Sequence, residues 1–418
     1  MANITRRIGL SLGADICWPI CYEALVEQLD LHIPAGSDTI NFEVERVKIE
    51  PFSLRKGPSY DVVIDRLTHW YKTSREWIKQ AVITNDTYVF NNPWTLTSME
   101  KHTSYCAMMR LGFPIPTTWM IPPKSYEESP DLKATLSQYA ELFNLGDIGD
   151  EIGYPMFMKP YDGGAWVGVT AIRDREALLA AYEKSGTRVM HLQKGVIPND
   201  GFVRCVGLGP QWRFVNYDPD APLHDRYRMD TGFLSAKEEE TLSRMTMVIN
   251  AFFGWDFNSC ESLRGNGVWQ PIDFANACPD SQVTSLHYHF PWLIKSNLRW
   301  SLFCAATGRK VKTELNWPAY FAIAGKDIPF DDKLEAYSKI AMEHFEADRF
   351  GEFCEKHLGH LDEMANEFFA TETVRDAIRK KVTALYPAHE IEEFTELFWN
   401  RIQDWRAREG ASSGAKHE

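Results

Sequence analysis

The stretch Phe157-Met158-Lys159-Pro160-Tyr161-Asp162-Gly163-Gly164-Ala165-Trp166-Val167-Gly168-Val169 constrains this chain more than any other. An apolar run ends in a lysine, a glycine-bearing loop follows, and a second strand is expected over Val167-Gly168-Val169. The pattern delivers Lys159 to the rim of a sheet. Gly163, Gly164 and Gly168 permit the positive φ angles and close backbone approach that a phosphate group needs. The G-x-x-x-x-G-K-[ST] order of a Walker loop is missing, as is G-x-G-x-x-G after a strand. Taken alone, the segment also reads as an ordinary glycine hairpin, so its meaning depends on what flanks it.

At 418 residues the chain exceeds one ordinary core, and two or three packed domains are expected. A net charge of −13 argues against a general nucleic-acid or anionic-membrane surface, so a polyanion such as ATP must be held by a local basic cluster. No apolar run approaches about 18 residues, and the basic start Met1 to Arg7 leads into a short strand, not a signal-peptide core. No membrane span is expected, and a cytoplasmic location is. The eight cysteines include no C-x-x-C pair, which suits reduced thiols. Cys17 and Cys21, one helical turn apart, read as buried thiols because two further metal ligands are lacking.

Residues 7–97 alternate strand and helix signals: strands at Ile8 to Leu12, Thr39 to Val47, Tyr60 to Leu67 and Tyr88 to Phe90, helices at Tyr22 to Leu29 and Ser74 to Val82. Such alternation implies a mainly parallel sheet, with ligands favoured at the carboxyl ends of strands. Gly13-Ala14-Asp15 and Asp65-Arg66 stand there, either as functional groups or as capping and turn residues. A helix from Thr97 carries Lys101 and Tyr105 and stops at Gly112 before Pro114 and Pro116. A strand at Thr117 to Ile121, a polar segment to Gly149, the lysine hairpin, a helix at Glu176 to Lys184 and a strand at Arg188 to Gln193 follow.

Phe202 to Leu208 and Gln211 to Tyr217 read as paired strands, and 224–230 as a polar, basic loop. Glu238 to Phe253 is an amphipathic helix; Phe257 to Leu263 and Val268 to Ile272 form a hairpin about Gly265-Asn266-Gly267. His287-Tyr288-His289 is expected on a strand, where alternate residues share a face, as packed histidines or a weak metal pair. Beyond Arg309 the chain is helical, with Phe394, Phe398, Ile402 and Trp405 marking one packing face. Gly410 to Glu418 is expected to fray.

Glu261 falls on the first strand of the late hairpin and Asp273 and Asn276 at the end of the second. Hard oxygen donors in that arrangement suit Mg²⁺, which needs few protein ligands when phosphates and water complete its shell. They also fit solvated residues beside a hairpin.

In this order the pieces resemble the ATP-grasp superfamily, closest to carboxylate-amine ligases such as D-alanine-D-alanine ligase and the RimK-like ligases, over roughly residues 7–295. Ser98-Met99-Glu100-Lys101 with Gly112-Phe113-Pro114-Ile115-Pro116-Thr117 is similar to the first nucleotide lysine and the G-x-P-x-P-T turn. Met158-Lys159-Pro160 with Gly163-Gly164 resembles the second lysine and its phosphate loop. Gln193-Lys194-Gly195-Val196 resembles the linker that meets adenine, and Phe202-Val203-Arg204-Cys205 the D-I-R-C strand. Glu261 with Asp273-Phe274-Ala275-Asn276 is similar to the E…E-x-N metal motif. Three positions depart from the pattern. The acidic residue stands three before Asn276 instead of two; Phe202 replaces an acidic ribose contact, for which Asp200 is the substitute; Ser259 stands where the alanine ligases use an arginine.

The resemblance implies an α/β protein of ATP-grasp fold: an N-terminal pre-ATP-grasp domain at 1–97, a central subdomain at 98–193, a C-terminal subdomain at 194–310 and a helical extension at 311–418. It implies ATP and Mg²⁺ as cofactors. Lys101, Lys159, Gly163, Gly164, Gln193, Lys194, Val196 and Asp200 would bind nucleotide, and Glu261, Asp273 and Asn276 the metal. Arg204, Arg226 and Arg228 are the candidate catalytic cations, with the 224–230 loop and the Gly163-Gly164 loop as lids. The implied reaction joins a small carboxylate, activated as an acyl phosphate, to an amine, with a homodimer as a candidate assembly and neither nucleic acid nor membrane as partner. An ATP-grasp-like small-molecule kinase and a nucleotide-binding regulatory or scaffold protein are the alternatives.

Overall fold

Ile8 and Leu10, both buried, open the fold on β1 (Asn3–Ser11), after which the chain runs through α1 (Cys17–Leu29), β2 (Ile33–Ala35), β3 (Asp38–Arg46), β4 (Val62–Asp65), α2 (Lys72–Asn85) and β5 (Tyr88–Phe90). The structure, a computed structural model, describes residues 3–49, 51–68, 71–95, 100–164 and 166–410. These strands form one sheet in the order β2-β3-β1-β4-β5. β1 is parallel to β3 and β4, β4 is parallel to β5, and only the short β2 turns back antiparallel. In α1 the buried Cys17, Trp18, Cys21, Tyr22, Leu25 and Leu29 recur at helical spacing and make one apolar face. Burial pushes both the Cys17 and Cys21 thiols up, as inert core groups require.

The next elements are α3 (His102–Arg110), β6 (Thr118–Ile121), α4 (Leu132–Tyr139), α5 (Leu145–Ile152), β7 (Met156–Pro160), β8 (Thr170–Ile172), α6 (Arg175–Ser185) and β9 (Met190–Lys194). Their strands make an antiparallel sheet in the order β6-β9-β7-β8. Its core holds Ile121, Met156, Met158, Ile172, Leu178 and Leu192. The strand expected at Val167 to Val169 begins later, at Thr170, because positive φ at Trp166 and Gly168 keeps the chain out of extended geometry until then.

β10 (Gly201–Leu208), β11 (Gln211–Asn216), α7 (Ala236–Phe253), β12 (Phe257–Gly265) and β13 (Val268–Ala277) follow, with a third sheet in the order β11-β10-β12-β13. Helix α7 starts in a capping box, Ser235 with Glu238, and ends at Gly254 in the left-handed region. The remainder is helical: α8 (Val283–Leu286), α9 (Phe290–Thr307), α10 (Trp317–Ala324), α11 (Phe330–Phe345), α12 (Ala347–Leu358), α13 (Leu361–Phe368), α14 (Glu372–Thr383) and α15 (Ile391–Trp405). Lys295 and Arg299 of α9 each donate to Asp362 of α13 at 2.7 Å.

The expected mixed α/β fold with a helical C-terminal region is therefore present. The strand expected at His287-Tyr288-His289 is instead a 3-10 turn, His287–His289, leading into α9. Pro291 in the first turn of α9 supplies a preset helical φ. Ser98, Met99, the helix start at Thr97, Ala165 and the end of the chain from 411 lie outside the described residues. Among the described residues no helix is long and apolar enough to cross a membrane.

The chain divides into two compact units. One comprises Met1–Thr97, Val203–Cys260 and Asn276–Glu418; the other comprises Ser98–Phe202 and Glu261–Ala275.

Candidate functional site

Within the second unit, β7 carries Lys159 into the protein, antiparallel to β9 with Lys159 opposite His191 and Phe157 opposite Gln193. The ammonium of Lys159 is buried and donates to Tyr105 Oη at 2.7 Å, Gln193 Oε1 at 2.8 Å and the Ile272 carbonyl at 3.0 Å. Three oxygens replace the water it has lost, yet burial still pulls its pKa down from 10.5 to about 8, against the upward pull of Asp273 and Glu261.

Lys101 stands just before α3, not inside it, and is also buried. Its ammonium donates to the Gly163 carbonyl at 2.8 Å and lies 3.3 Å from the Asp273 carboxylate, while its backbone N–H donates to the Tyr161 carbonyl at 2.9 Å. The first lysine is thus tied directly to the glycine loop. Gly163 takes φ 85°, and a side chain there would meet no atom within 4 Å, so the need for glycine is conformational, not steric.

Gln193 is fixed at both ends, its Oε1 accepting from Lys159 and its Nε2 donating to Thr118 Oγ1 at 2.9 Å. Lys194, the last residue of β9, is exposed, and Val196, on the connector after it, is buried. Asp200 accepts from Arg264 Nε at 2.8 Å, and that guanidinium lies over the Trp269 ring, 5.3 Å from its centroid. Gly164 adjoins Gly163 in the loop.

Two neighbours of Lys159 were not among the residues singled out from sequence. Tyr105 donates to the Ile272 carbonyl at 2.6 Å while accepting from Lys159, and its ring lies edge-on to Phe274 at 5.3 Å. It falls one helical turn after Lys101, a spacing that places both on one face and could have identified it. His191 packs against His102 and Tyr105, at 5.7 and 5.5 Å between ring centroids. Burial and the adjacent lysines pull it down to about 3, so it is a neutral wall at ordinary pH.

The oxygen-ligand candidates lie on adjacent strands, Glu261 on β12 and Asp273 and Asn276 on β13. Along β13 the buried Trp269 and Pro271 alternate with the less buried Val268, Gln270 and Ile272, Asp273 is half-buried, and Phe274 to Ala277 are all buried. The Ile272 carbonyl accepts from two side chains. Phe274, two before Asn276, is fully buried against Tyr105, whereas Asp273 is half-buried beside Lys101. Among the described residues no group of three or more His, Cys, Asp or Glu forms a metal cluster. Of the three candidates, Glu261 and Asp273 stand in the second unit and Asn276 at the edge of the first, and carboxylate and amide oxygens are the donor types that Mg²⁺ takes.

The arginine candidates lie in the first unit. Arg204 on β10 donates from Nε to Ser259 Oγ at 3.2 Å and from its guanidinium to Tyr227 Oη, and it lies 5.9 and 5.5 Å from the ring centroids of Tyr217 and Tyr227. A guanidinium from the neighbouring strand thus reaches Ser259. Tyr227 is buried, with Arg226 half-buried and Arg228 exposed on either side. Arg226 Nε donates to the Ala221 carbonyl at 3.1 Å, and Arg228 pairs with Asp218. Asp15 and Asp65, at the strand ends of the N-terminal sheet, are turn residues: Asp65 accepts from Ser11 Oγ and the N–H groups of Leu67 and Thr68, and Asp15 pairs with Arg66.

No family model matches the chain. It is similar to the D-alanine–D-alanine ligase of Dechloromonas aromatica (strain RCB), 32% identical over 108 residues that make up 23% of this chain and 36% of that protein. It is also similar to the D-alanine–D-alanine ligase of Bacillus licheniformis, 30% identical over 134 residues, 29% of this chain and 36% of the relative. The chain spans about a third of the length of these curated relatives. Among solved structures, the crystal structure of D-alanine–D-alanine ligase from Bacillus anthracis complexed with ATP aligns at a TM-score of 0.48 and 13% identity, over 82% of this chain and 99% of that one.

Proposed function

We propose that the chain is a member of the ATP-grasp superfamily and an ADP-forming ligase that activates a small carboxylic acid as its acyl phosphate and joins it to an amine, a reading that the similarity to D-alanine–D-alanine ligases supports. The observation that carries this reading is the buried pair Lys101 and Lys159, one tied to the glycine loop and the other lodged among Tyr105, Gln193 and the Ile272 carbonyl. In a protein of net charge −13, two buried ammonium groups brought together beside a glycine loop concentrate the positive charge that a polyanion requires.

In this reading Lys101 and Lys159 offset the phosphate charge, Gly163 and Gly164 let backbone approach the phosphates, and Gln193, Lys194 and Val196 line the base, with Asp200 towards the ribose. Glu261, Asp273 and Asn276 would hold Mg²⁺, which supplies further positive charge to the phosphates. The substrate carboxylate oxygen attacks the γ-phosphorus and the bond to ADP breaks, a transfer that depends on positioning and on cations around the equatorial oxygens. The amine nitrogen then attacks the acyl carbon, inorganic phosphate leaves, and the amine loses its proton. Arg204, Arg226 and Arg228 are proposed to steady the anionic substrate groups. Arg204 is favoured as the replacement for the arginine that Ser259 displaces, because its guanidinium reaches that serine.

The test is ADP and phosphate release across panels of carboxylic acids and amines. Release that requires one of each, with an amide product, is expected. A phosphorylated product without free phosphate would make the protein a kinase, and ATP binding without turnover by any pair would make it a nucleotide-binding regulator.

A further inference from the structure

We infer that the C-terminal helical region holds the 224–230 loop, and with it Arg226 and Arg228, in a fixed position through two polar clamps of Arg401 and Glu409; the catalytic consequence rests on the function proposed above. The first clamp is direct. Arg401 of α15 donates to the His224 carbonyl and to the Asp225 carboxylate. Phe394, one of the stripe residues of the same helix, lies edge-on to the His224 ring at 5.1 Å between centroids. Phe398, Ile402 and Trp405 of that stripe are buried, so α15 is anchored along its length and Arg401 projects from a rigid support.

The second clamp is a relay. Glu409, just beyond α15, accepts both guanidinium nitrogens of Arg213 at 2.8 and 2.6 Å, and the Tyr288 hydroxyl at 2.8 Å. Arg213 Nε donates to His289 Nδ1 at 3.1 Å. That bond fixes the tautomer, because an accepting Nδ1 leaves the proton on Nε2, which donates to the Arg228 carbonyl at 2.8 Å. Burial and the Arg213 charge hold His289 neutral, as the relay requires. On its other side the loop is tied to the end of β11: Arg228 N–H donates to the Asn216 carbonyl at 3.0 Å and Asp218 N–H to the Arg226 carbonyl at 2.9 Å.

The loop backbone is therefore held from two directions while the Arg226 and Arg228 side chains lie outside both clamps. Arg401, His289 and Glu409 are positioning residues, because they act on the arginines only through the backbone. A guanidinium bonded to a carbonyl and a carboxylate together holds an orientation that a lysine cannot copy.

Amide hydrogen exchange on the full chain tests this without any substrate, comparing wild type with Arg401→Ala and Asp225→Asn. The second change cuts the ion pair from the loop side, leaving α15 intact if the first variant fails to fold. Exchange across 221–230 is expected to rise at least about 10-fold in the variants, with the N-terminal sheet unchanged. Unaltered protection of 221–230 in the folded variants would overturn the clamp. With an active substrate pair, turnover is expected to fall while ATP affinity stays constant, and Arg401→Lys should recover little. Faster loop exchange with unchanged turnover would overturn the positioning role. A wild type inactive with every substrate pair would defeat the ligase reading, and the exchange result would still decide the clamp.

Discussion

Lys159 is buried among three oxygens, and its protonation can be measured. Burial lowers its pKa from 10.5 to about 8. The free protein therefore carries the charge at pH 7 and loses it as pH rises through about 8. Bound polyanion favours the charged form, so ATP affinity should decline above about pH 8, and calorimetry near pH 9 in buffers of different ionisation enthalpy should detect proton uptake on binding. For stability the sign is opposite to that of a favourable ion pair. Between about 8 and 10.5 the unfolded chain holds the proton more often than the folded one, so this group's penalty shrinks as pH rises through that window. Among the arginines, Arg204→Lys should lower turnover at unchanged ATP affinity, because its contacts with Ser259 and two tyrosine rings need a planar guanidinium. Arg228 is exposed and paired with Asp218. If Arg228→Lys keeps normal kcat and KM in steady-state kinetics, Arg228 has no catalytic role.

At the scale of elements, the helical region is locked to the first sheet by a buried polar node. Arg309, beyond the end of α9, donates to the hydroxyl of Tyr88 on β5 at 3.0 Å, to the His344 carbonyl near the end of α11 and to Glu346 before α12. Asp256 accepts from Tyr88 at 2.6 Å and from Trp300 Nε1 at 2.8 Å, and burial raises its pKa to about 6. Arg309→Ala would take the cation from Glu346 and from beside Asp256, pushing the Asp256 pKa up further, and strip the Tyr88 hydroxyl and the His344 carbonyl of their donor, and urea unfolding should show a loss of about 3–5 kcal/mol. A loss below about 1 kcal/mol would mean that the node is solvated. Most of the longer strands, the α7 helix and the Phe394 to Trp405 stripe were legible in sequence because period and glycine placement are local properties, whereas the short β2 was not read and β8 begins at Thr170 instead of Val167. His287 to His289 was misread because two histidines at alternate positions look the same in a strand and in a tight turn before a helix. The three-residue spacing from Asp273 to Asn276 was visible in sequence, whereas the bonds that Tyr105 and Lys159 make to the Ile272 carbonyl join residues more than a hundred positions apart.

For the molecule as a whole, the sequence revealed the order of the candidate motifs but not the company each residue keeps. Lys159 stood out by its place at the end of an apolar run before glycines, Lys101 only through the resemblance, and Tyr105 could have been found one helical turn after Lys101, whereas His191 and the hold of Arg401 on the 224–230 loop depend on tertiary packing. An acidic chain can hold a polyanion only where positive charge is concentrated and desolvated, and the lysine pair meets that condition. Binding of a polyanion at the lysine pair is read out by calorimetric titration of ATP with Mg²⁺ into wild type and Lys159→Met, which keeps the side-chain volume and removes the charge. Loss of one charge-assisted contact is worth about 1.5–3 kcal/mol, so affinity should fall about 10- to 150-fold in the folded variant. Equal affinity in the two proteins would contradict binding at the pair.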